Sequence, residues 1–252
     1  PPHHSSAASD VYKRQSERCG IVNIGLEGMM VIGTWFGAWA GWFYGPWYGV
    51  LAGLLGGALF GLIHAVGTIT FQVDHIVSGV AINILAAGVA RFLSVVAYAD
   101  VPAGGATQSP RVDERIEKIS IPYLSGGKIN ESDTADVFGS LEALDLFLIS
   151  DLFGLLGGLT RNISYFSILA ILLVPVSVWI LWSTSFGLQL RSVGEYPVGS
   201  ESVGVNVYLM KYIGVTISGA FAGLAGAYLV IESAGIYREG QTGGRGLSLI
   251  HI

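Results

Sequence analysis

Apolar runs of about 20 residues alternate with short polar breaks along this chain. They cover residues 25–44 (GLEGMMVIGTWFGAWAGWFY), 47–69, 76–98, 164–182 (SYFSILAILLVPVSVWILW) and 212–231 (YIGVTISGAFAGLAGAYLVI). At 1.5 Å per residue, a helix of about 20 apolar residues crosses a hydrocarbon core of about 30 Å. The pattern therefore predicts five membrane-spanning helices. Gly45 and Pro46 separate the first two, a tight turn suited to antiparallel neighbours. Trp42, Phe43, Tyr44, Trp47 and Tyr48 flank that turn. Such rings either sit at the membrane interface or pack in the core. Pro175 predicts a kink in the fourth run, where neighbouring helices satisfy the freed carbonyl. In the fifth, Gly219, Gly223 and Gly226, with alanines between them, form a small-residue face that lets helix backbones approach closely.

The polar breaks set the topology. Residues 100–162 hold 10 acidic and 5 basic side chains and are too charged to enter lipid. Within them, residues 141–159 are apolar but contain Asp145 and Asp151. They read as an amphipathic helix on the membrane surface. A true span is the alternative, and it would invert everything downstream. Residues 185–206 read as a polar, Gly-rich loop, with Pro197 placed to begin a short helix, and residues 232–246 are polar again. Cytoplasmic loops of membrane proteins are enriched in Lys and Arg. With five spans, Arg18, Arg191 and Lys211 fall on one side, expected to be cytoplasmic, and loop 99–163 falls outside.

Composition agrees with an all-α polytopic transmembrane bundle. The 252 residues are 52% hydrophobic and 12% charged, with 36 glycines. Soluble domains carry about 25% charged residues. A net charge of −5 without a basic run argues against nucleic-acid binding. The single Cys19 excludes an intrachain disulfide and any CxxC metal site. No catalytic triad, metal cluster or phosphate loop is found. GQTGGRG at Gly240 lacks the Lys-Ser/Thr of a nucleotide loop. No catalytic residue, bound metal or cofactor is therefore expected of this chain.

Both ends look foreign. DVYKRQ, ending at Gln15, is encoded by GAT-GTG-TAT-AAG-AGA-CAG, and the reverse complement of that DNA encodes LSLIHI, residues 247–252. Residues 1–15 and 247–252 therefore read as translated sequencing-library adapter. The native stretch is expected to be 16–246, with spans missing on both sides.

Candidate chemistry gathers where the first run begins. CGIVNIGLEGMM places Asn23 and Glu27 at its mouth, among Gly20, Gly25 and Gly28. A carboxylate inside a membrane costs several kcal/mol, so it usually pairs or serves a purpose. One reading makes Asn23, Gly25, Glu27 and Gly28 part of a path or hinge, since glycines permit a helix break. The other leaves Glu27 in the interface, facing Arg18. Asn83 either bonds a substrate or bridges two helices, and Arg91 snorkels to the headgroups. The stretch LQLRSVGEYPVGSESVGVNV is either a docking element for a partner or a plain solvated connection.

Three stretches carry a family resemblance: SERCGIVNIGLEGMM from Ser16, DHIVSGVAINILAAGVARFL from Asp74, and FGLQLRSVGEYPVGSESVGVNVYLMKYIGVTISGAFAGLAGAYL from Phe186. They resemble the permeases of the branched-chain amino acid, ribose and nucleoside ABC importers, and most of all the nucleoside and simple-sugar subgroup. The resemblance implies a core of about ten helices, of which about five are present here. It implies that residues 191–205 couple to a separate ATPase that binds ATP and Mg. Similar loops read GENPxAAxxxGI. Gly194, Glu195, Pro197 and Gly204 match that pattern. Tyr196 replaces the Asn, Gly199 and Ser200 replace the Ala pair, and Val205 replaces the Ile. Arg191, just upstream, belongs to the same expected coupling loop. The implied partners are the ATPase, a second related permease subunit, an external substrate-binding lipoprotein and the lipid of a bacterial cytoplasmic membrane. The implied cargo is a nucleoside, or alternatively a simple sugar. An ion-coupled secondary transporter is the competing class. An intramembrane enzyme is disfavoured, because no two spans offer paired catalytic groups.

Overall fold

The structure, a computed structural model, describes residues 20–112, 116, 118–119, 128–129, 132–133 and 163–247. Seven α-helices are described: α1 (Leu26–Tyr44), α2 (Pro46–Ala65), α3 (His75–Tyr98), α4 (Tyr165–Ser183), α5 (Ser185–Glu195), α6 (Pro197–Ser202) and α7 (Val207–Tyr228). Helix α2 runs on through a π turn, Val66–Thr70, and α7 through another, Leu229–Ala234. The chain divides into two compact units, Pro1–Arg115 with Val174–Ile252, and Ile116–Leu173. In the second, β1 (Lys118–Ile119) pairs antiparallel with β4 (Ile163–Ser164), in the register Lys118↔Ser164. There too β2 (Lys128–Ile129) pairs antiparallel with β3 (Ser132–Asp133). Residues 141–159, like Arg18 and Cys19, lie outside the described residues.

Among the described residues, four helices are long and apolar enough to cross a membrane: Pro46–Thr70, His75–Tyr98, Tyr165–Ser183 and Val207–Ala234. They coincide with four of the five apolar runs. The first run also forms a helix, α1, of 19 residues, but it sits among α2, α3 and α7 rather than at the periphery. Its Met29, Ile32, Trp35 and Ala38 are buried in one cluster with Phe60, Ile82, Ala86 and Tyr98. By contrast, Leu51, Leu55, Leu59 and Leu62 of α2 and Ile84, Phe92 and Val96 of α3 are exposed. An apolar exterior of this kind suits a lipid solvent.

Glycine holds the centre together. A Cβ on Gly223 would lie 2.7 Å from the Cα of Gly57, and one on Gly53 would lie 2.7 Å from the Cβ of Ala227. Helices α2 and α7 therefore touch backbone to backbone, as a small-residue seam permits. Gly219 belongs to the same seam, since its Cβ would meet the backbone of Gly61, whereas Gly226 packs on α1, where its Cβ would meet the backbone of Met30 and Thr34.

Two boundaries differ from the sequence reading. Residues 185–206, read as a polar loop with a short helix from Pro197, also form a helix ahead of it, Ser185–Glu195. The Thr184 hydroxyl accepts from the Gly187 amide at 3.2 Å and starts α5, which buries Gly187, Leu190 and Val193. Gly187 reads as a loop signal but is a close-packing position, since a Cβ there would run into the backbone of Leu181. Helix α7 starts at Val207, five residues ahead of the apolar run, because Asn206 accepts from the Leu209 amide at 3.0 Å. That side-chain cap fixes a helix start that hydropathy does not register.

Candidate functional site

The mouth of α1 is sewn to two other helices by side-chain amides. Asn23 is buried. Its Oδ1 accepts from the Gly25 amide at 3.1 Å, and its Nδ2 donates to Ser218 Oγ of α7 at 3.4 Å. Asn83 of α3 reaches across: its Oδ1 accepts from the Gly28 amide at 2.7 Å and its Nδ2 donates to the Ile24 carbonyl at 3.2 Å. Asn83 therefore bridges two helices, one of the two roles open to it from sequence. The first N–H groups of a helix lack intrahelical partners, and Asn83 satisfies one of them. The glycines here serve close approach: a Cβ on Gly25 would lie 3.1 Å from Ile82, and one on Gly28 2.8 Å from the Ile82 carbonyl.

Glu27 takes a partner the sequence reading did not supply. Its carboxylate accepts from the Thr242 hydroxyl, from the Gly244 amide at 3.1 Å and from the Gly246 amide at 2.7 Å. Residues 232–246, read from sequence only as polar, return from the far end of α7 to the beginning of α1. Gly235, Gly240, Gly243 and Gly244 all have positive φ, between 57° and 75°, a region that non-Gly residues rarely adopt. That backbone lets the Gly244 and Gly246 amides converge on one carboxylate. Arg91, expected to reach the headgroups, lies 3.7 Å from Glu239 of this segment.

Sequence reasoning also passed over His64, buried in α2, whose Nδ1 lies 2.9 Å from Ser78 Oγ of α3. The available signal was a lone polar residue inside an apolar run.

At the same end as the mouth of α1, α5 and α6 form an elbow. Gly20 packs on Gly194: a Cβ there would lie 3.6 Å from the Gly194 carbonyl. Arg191 stacks over the Trp182 ring at 4.4 Å, and its Nε donates to the Gly187 carbonyl at 3.4 Å. Pro197 occupies the first turn of α6, and Gly204, at φ 86°, turns the chain into α7. Tyr196, Val198 and Val203 are apolar and highly exposed at the elbow, beside exposed Glu195 and Glu201. A cavity of about 310 Å³ lies behind it, lined by Thr68, Gln72, His75, Glu201, Tyr208 and Lys211 among others. Arg191, Gly194, Glu195, Tyr196, Pro197 and Gly204 thus share one surface element. Asn23, Gly25, Glu27, Gly28 and Asn83 form one hydrogen-bonded cluster. Gly219 and Gly223 lie in the seam between α2 and α7, and Gly226 lies where α7 packs on α1. Among the described residues, no group of three His, Cys, Asp or Glu is placed to hold a metal ion.

Comparison with known proteins places this geometry in context. Residues 16–250 match the family described as branched-chain amino acid transport system / permease component. The chain is 39% identical over 238 residues to the guanosine ABC transporter permease protein NupQ of Bacillus subtilis. It is 34% identical, also over 238 residues, to the nucleoside ABC transporter permease protein NupC of Lactococcus lactis. Each alignment covers 92% of this chain and 65% of the relative, so the chain spans about two thirds of their length. No solved structure matches the chain.

Proposed function

The chain belongs to the permease component family of the branched-chain amino acid transport systems, and from that we propose that it forms part of the membrane subunit of an ATP-driven nucleoside importer. The observation that carries the reading is its 39% and 34% identity to relatives named for guanosine and nucleoside transport. The bundle of long apolar helices, the capped mouth of α1 and the exposed elbow at α5 and α6 support it.

In this reading the elbow faces the cytoplasm and meets a separate ATPase. An exposed apolar patch rimmed by carboxylates is a typical protein contact surface. ATP binding and hydrolysis, with Mg, belong to that partner. The permease performs no covalent chemistry. It forms one wall of a path completed by a second permease subunit, and an external lipoprotein delivers the substrate. Gly20 against Gly194 joins the elbow to the mouth of α1. Movement of α5 and α6 on the ATPase therefore reaches the cluster of Asn23, Glu27 and Asn83 through direct contact. The multi-pass subunit lies in the bacterial cytoplasmic membrane.

The test is uptake by the complete transporter. Guanosine should be taken up, and other nucleosides should compete with it far better than pentoses or glucose. Replacing both Gly194 and Glu195 should abolish uptake and leave substrate binding by the external receptor intact. Preferential competition by a sugar would replace the nucleoside assignment. Undiminished uptake by the double variant would remove the coupling role of the elbow.

A further inference from the structure

Positions along α1 measure depth in the bundle. Near its far end, Gly41 faces Val112 and Ile231. At its near end, a Cβ on Gly246 would lie 2.6 Å from the Cα of Glu27. The fourteen residues from Glu27 to Gly41 rise about 21 Å at 1.5 Å per residue. The chain from Ile231 to Gly246 therefore leaves the end of α7 and descends about 21 Å beside α1. Its upper part is fastened to the loop after α3. Val112 donates to the Gly235 carbonyl at 2.8 Å, Ser109 to the Tyr237 carbonyl at 3.0 Å, and Glu239 to the Thr107 carbonyl at 2.8 Å. Its lower part is fastened to Glu27. If α1 crosses a bilayer, most of this segment lies within the bilayer's thickness.

The segment is neither apolar nor a continuous helix. It carries Arg238, Glu239, Gln241, Thr242 and Arg245, and its turns close through Gly240, Gly243 and Gly244. Arg238, Glu239, Gly240, Gly243 and Arg245 are exposed. Arg91, the neighbour of Glu239, is 63% exposed and lies seven residues, about 10 Å, short of the end of α3. Irregular backbone at membrane depth is tolerated only where protein buries it or a water-filled cavity meets it. Exposed charges there obey the same rule. Lipid is thus excluded from this face, in contrast to the leucine face of α2.

We infer that residues 235–246 form a re-entrant segment and that, with Arg91 of α3, they line the aqueous path taken by a polar, uncharged solute. The inference rests on the permease reading and names the wall of the path. The Arg91–Glu239 pair presents donors and acceptors that suit hydroxyl-rich solutes. Glu27 holds the inner end of the wall.

Single cysteines at Arg91, Arg238 and Glu239 test it in the complete transporter, freed of other cysteines, with Leu59 and Ile84 as lipid-facing controls. A membrane-impermeant methanethiosulfonate reacts with the thiolate, which forms in water and not in lipid. The three wall positions should label at least about tenfold faster than the controls, and excess guanosine should slow them. Absence of labelling at the wall in variants made at the parental level, or a disulfide formed there to the second subunit, would overturn the inference. If Arg91→Cys does not assemble, Arg238→Cys decides alone. Guanosine uptake by the parent is measured in the same membranes. A transporting parent with an unlabelled wall condemns only the wall. A parent that transports no nucleoside condemns the substrate reading, while the labelling still judges the wall.

Discussion

At the scale of the residue, Glu27 and Asn83 carry the most. Glu27 gathers three donors onto one carboxylate. Glu27→Gln keeps the size but sets an amide NH₂ where an acceptor is needed. Losing a hydrogen bond to a charged group costs about 1.5–3 kcal/mol. We expect uptake to fall at least tenfold, while insertion into the membrane persists. Uptake at the parental rate would show that the 240–246 turn does not depend on this carboxylate. Asn83→Ala leaves the Gly28 amide and the Ile24 carbonyl without that partner. It should lower stability by about 1–3 kcal/mol, read as a lower melting temperature in detergent, with the KM of uptake little changed. A raised KM at unchanged melting temperature would assign Asn83 to solute contact instead.

At the scale of the element, the seam between α2 and α7 is the vulnerable part. Gly223→Val would drive a branched side chain into the backbone of Gly57. Overpacking of this kind costs about 1–3 kcal/mol, and more where backbone cannot yield. The variant should lose its monodisperse peak in gel filtration. Gly88→Ala is the matched control, since nothing lies within 4 Å of a Cβ there. Alanine favours a helix over glycine by up to about 1 kcal/mol, so that variant should melt at or above the parental temperature. Equal behaviour of the two would refute the seam. The same physics explains the misread loop at 185–206. Gly187 lies in a helix that needs it for close packing, and composition does not distinguish a packing glycine from a turn glycine.

At the scale of the whole molecule, one topology has to accommodate the elbow, the mouth of α1 and the returning segment. In the reading above, Tyr196 faces the cytoplasm. A cysteine there should react with an impermeant reagent only in inside-out vesicles. Labelling from the outer face of intact cells would invert the arrangement and detach the elbow from its ATPase. The sequence reading located the long helices because burying backbone in lipid requires long apolar runs, and hydropathy reports those directly. It also located the elbow, since Pro197 and Gly204 mark turns locally. Helix α1 was legible as a run but not as the centre of the bundle. Its neighbours are set by close approaches of its own Gly33 and Gly37 to α7 and of Gly28 to α3.

The chain alone therefore determined an all-α membrane bundle, the approximate extent of its helices and the surface stretch around Arg191. Each of these follows from residues close together in sequence. Tertiary structure alone decided that Asn83 bonds across from α3 to the start of α1, and that Glu27 meets residues more than two hundred positions away. It decided too that a stretch which reads only as polar descends beside α1. The reason is geometric. Hydrogen-bond partners across a bundle are set by helix rotation and depth, and neither is encoded in the local alternation of apolar and polar residues.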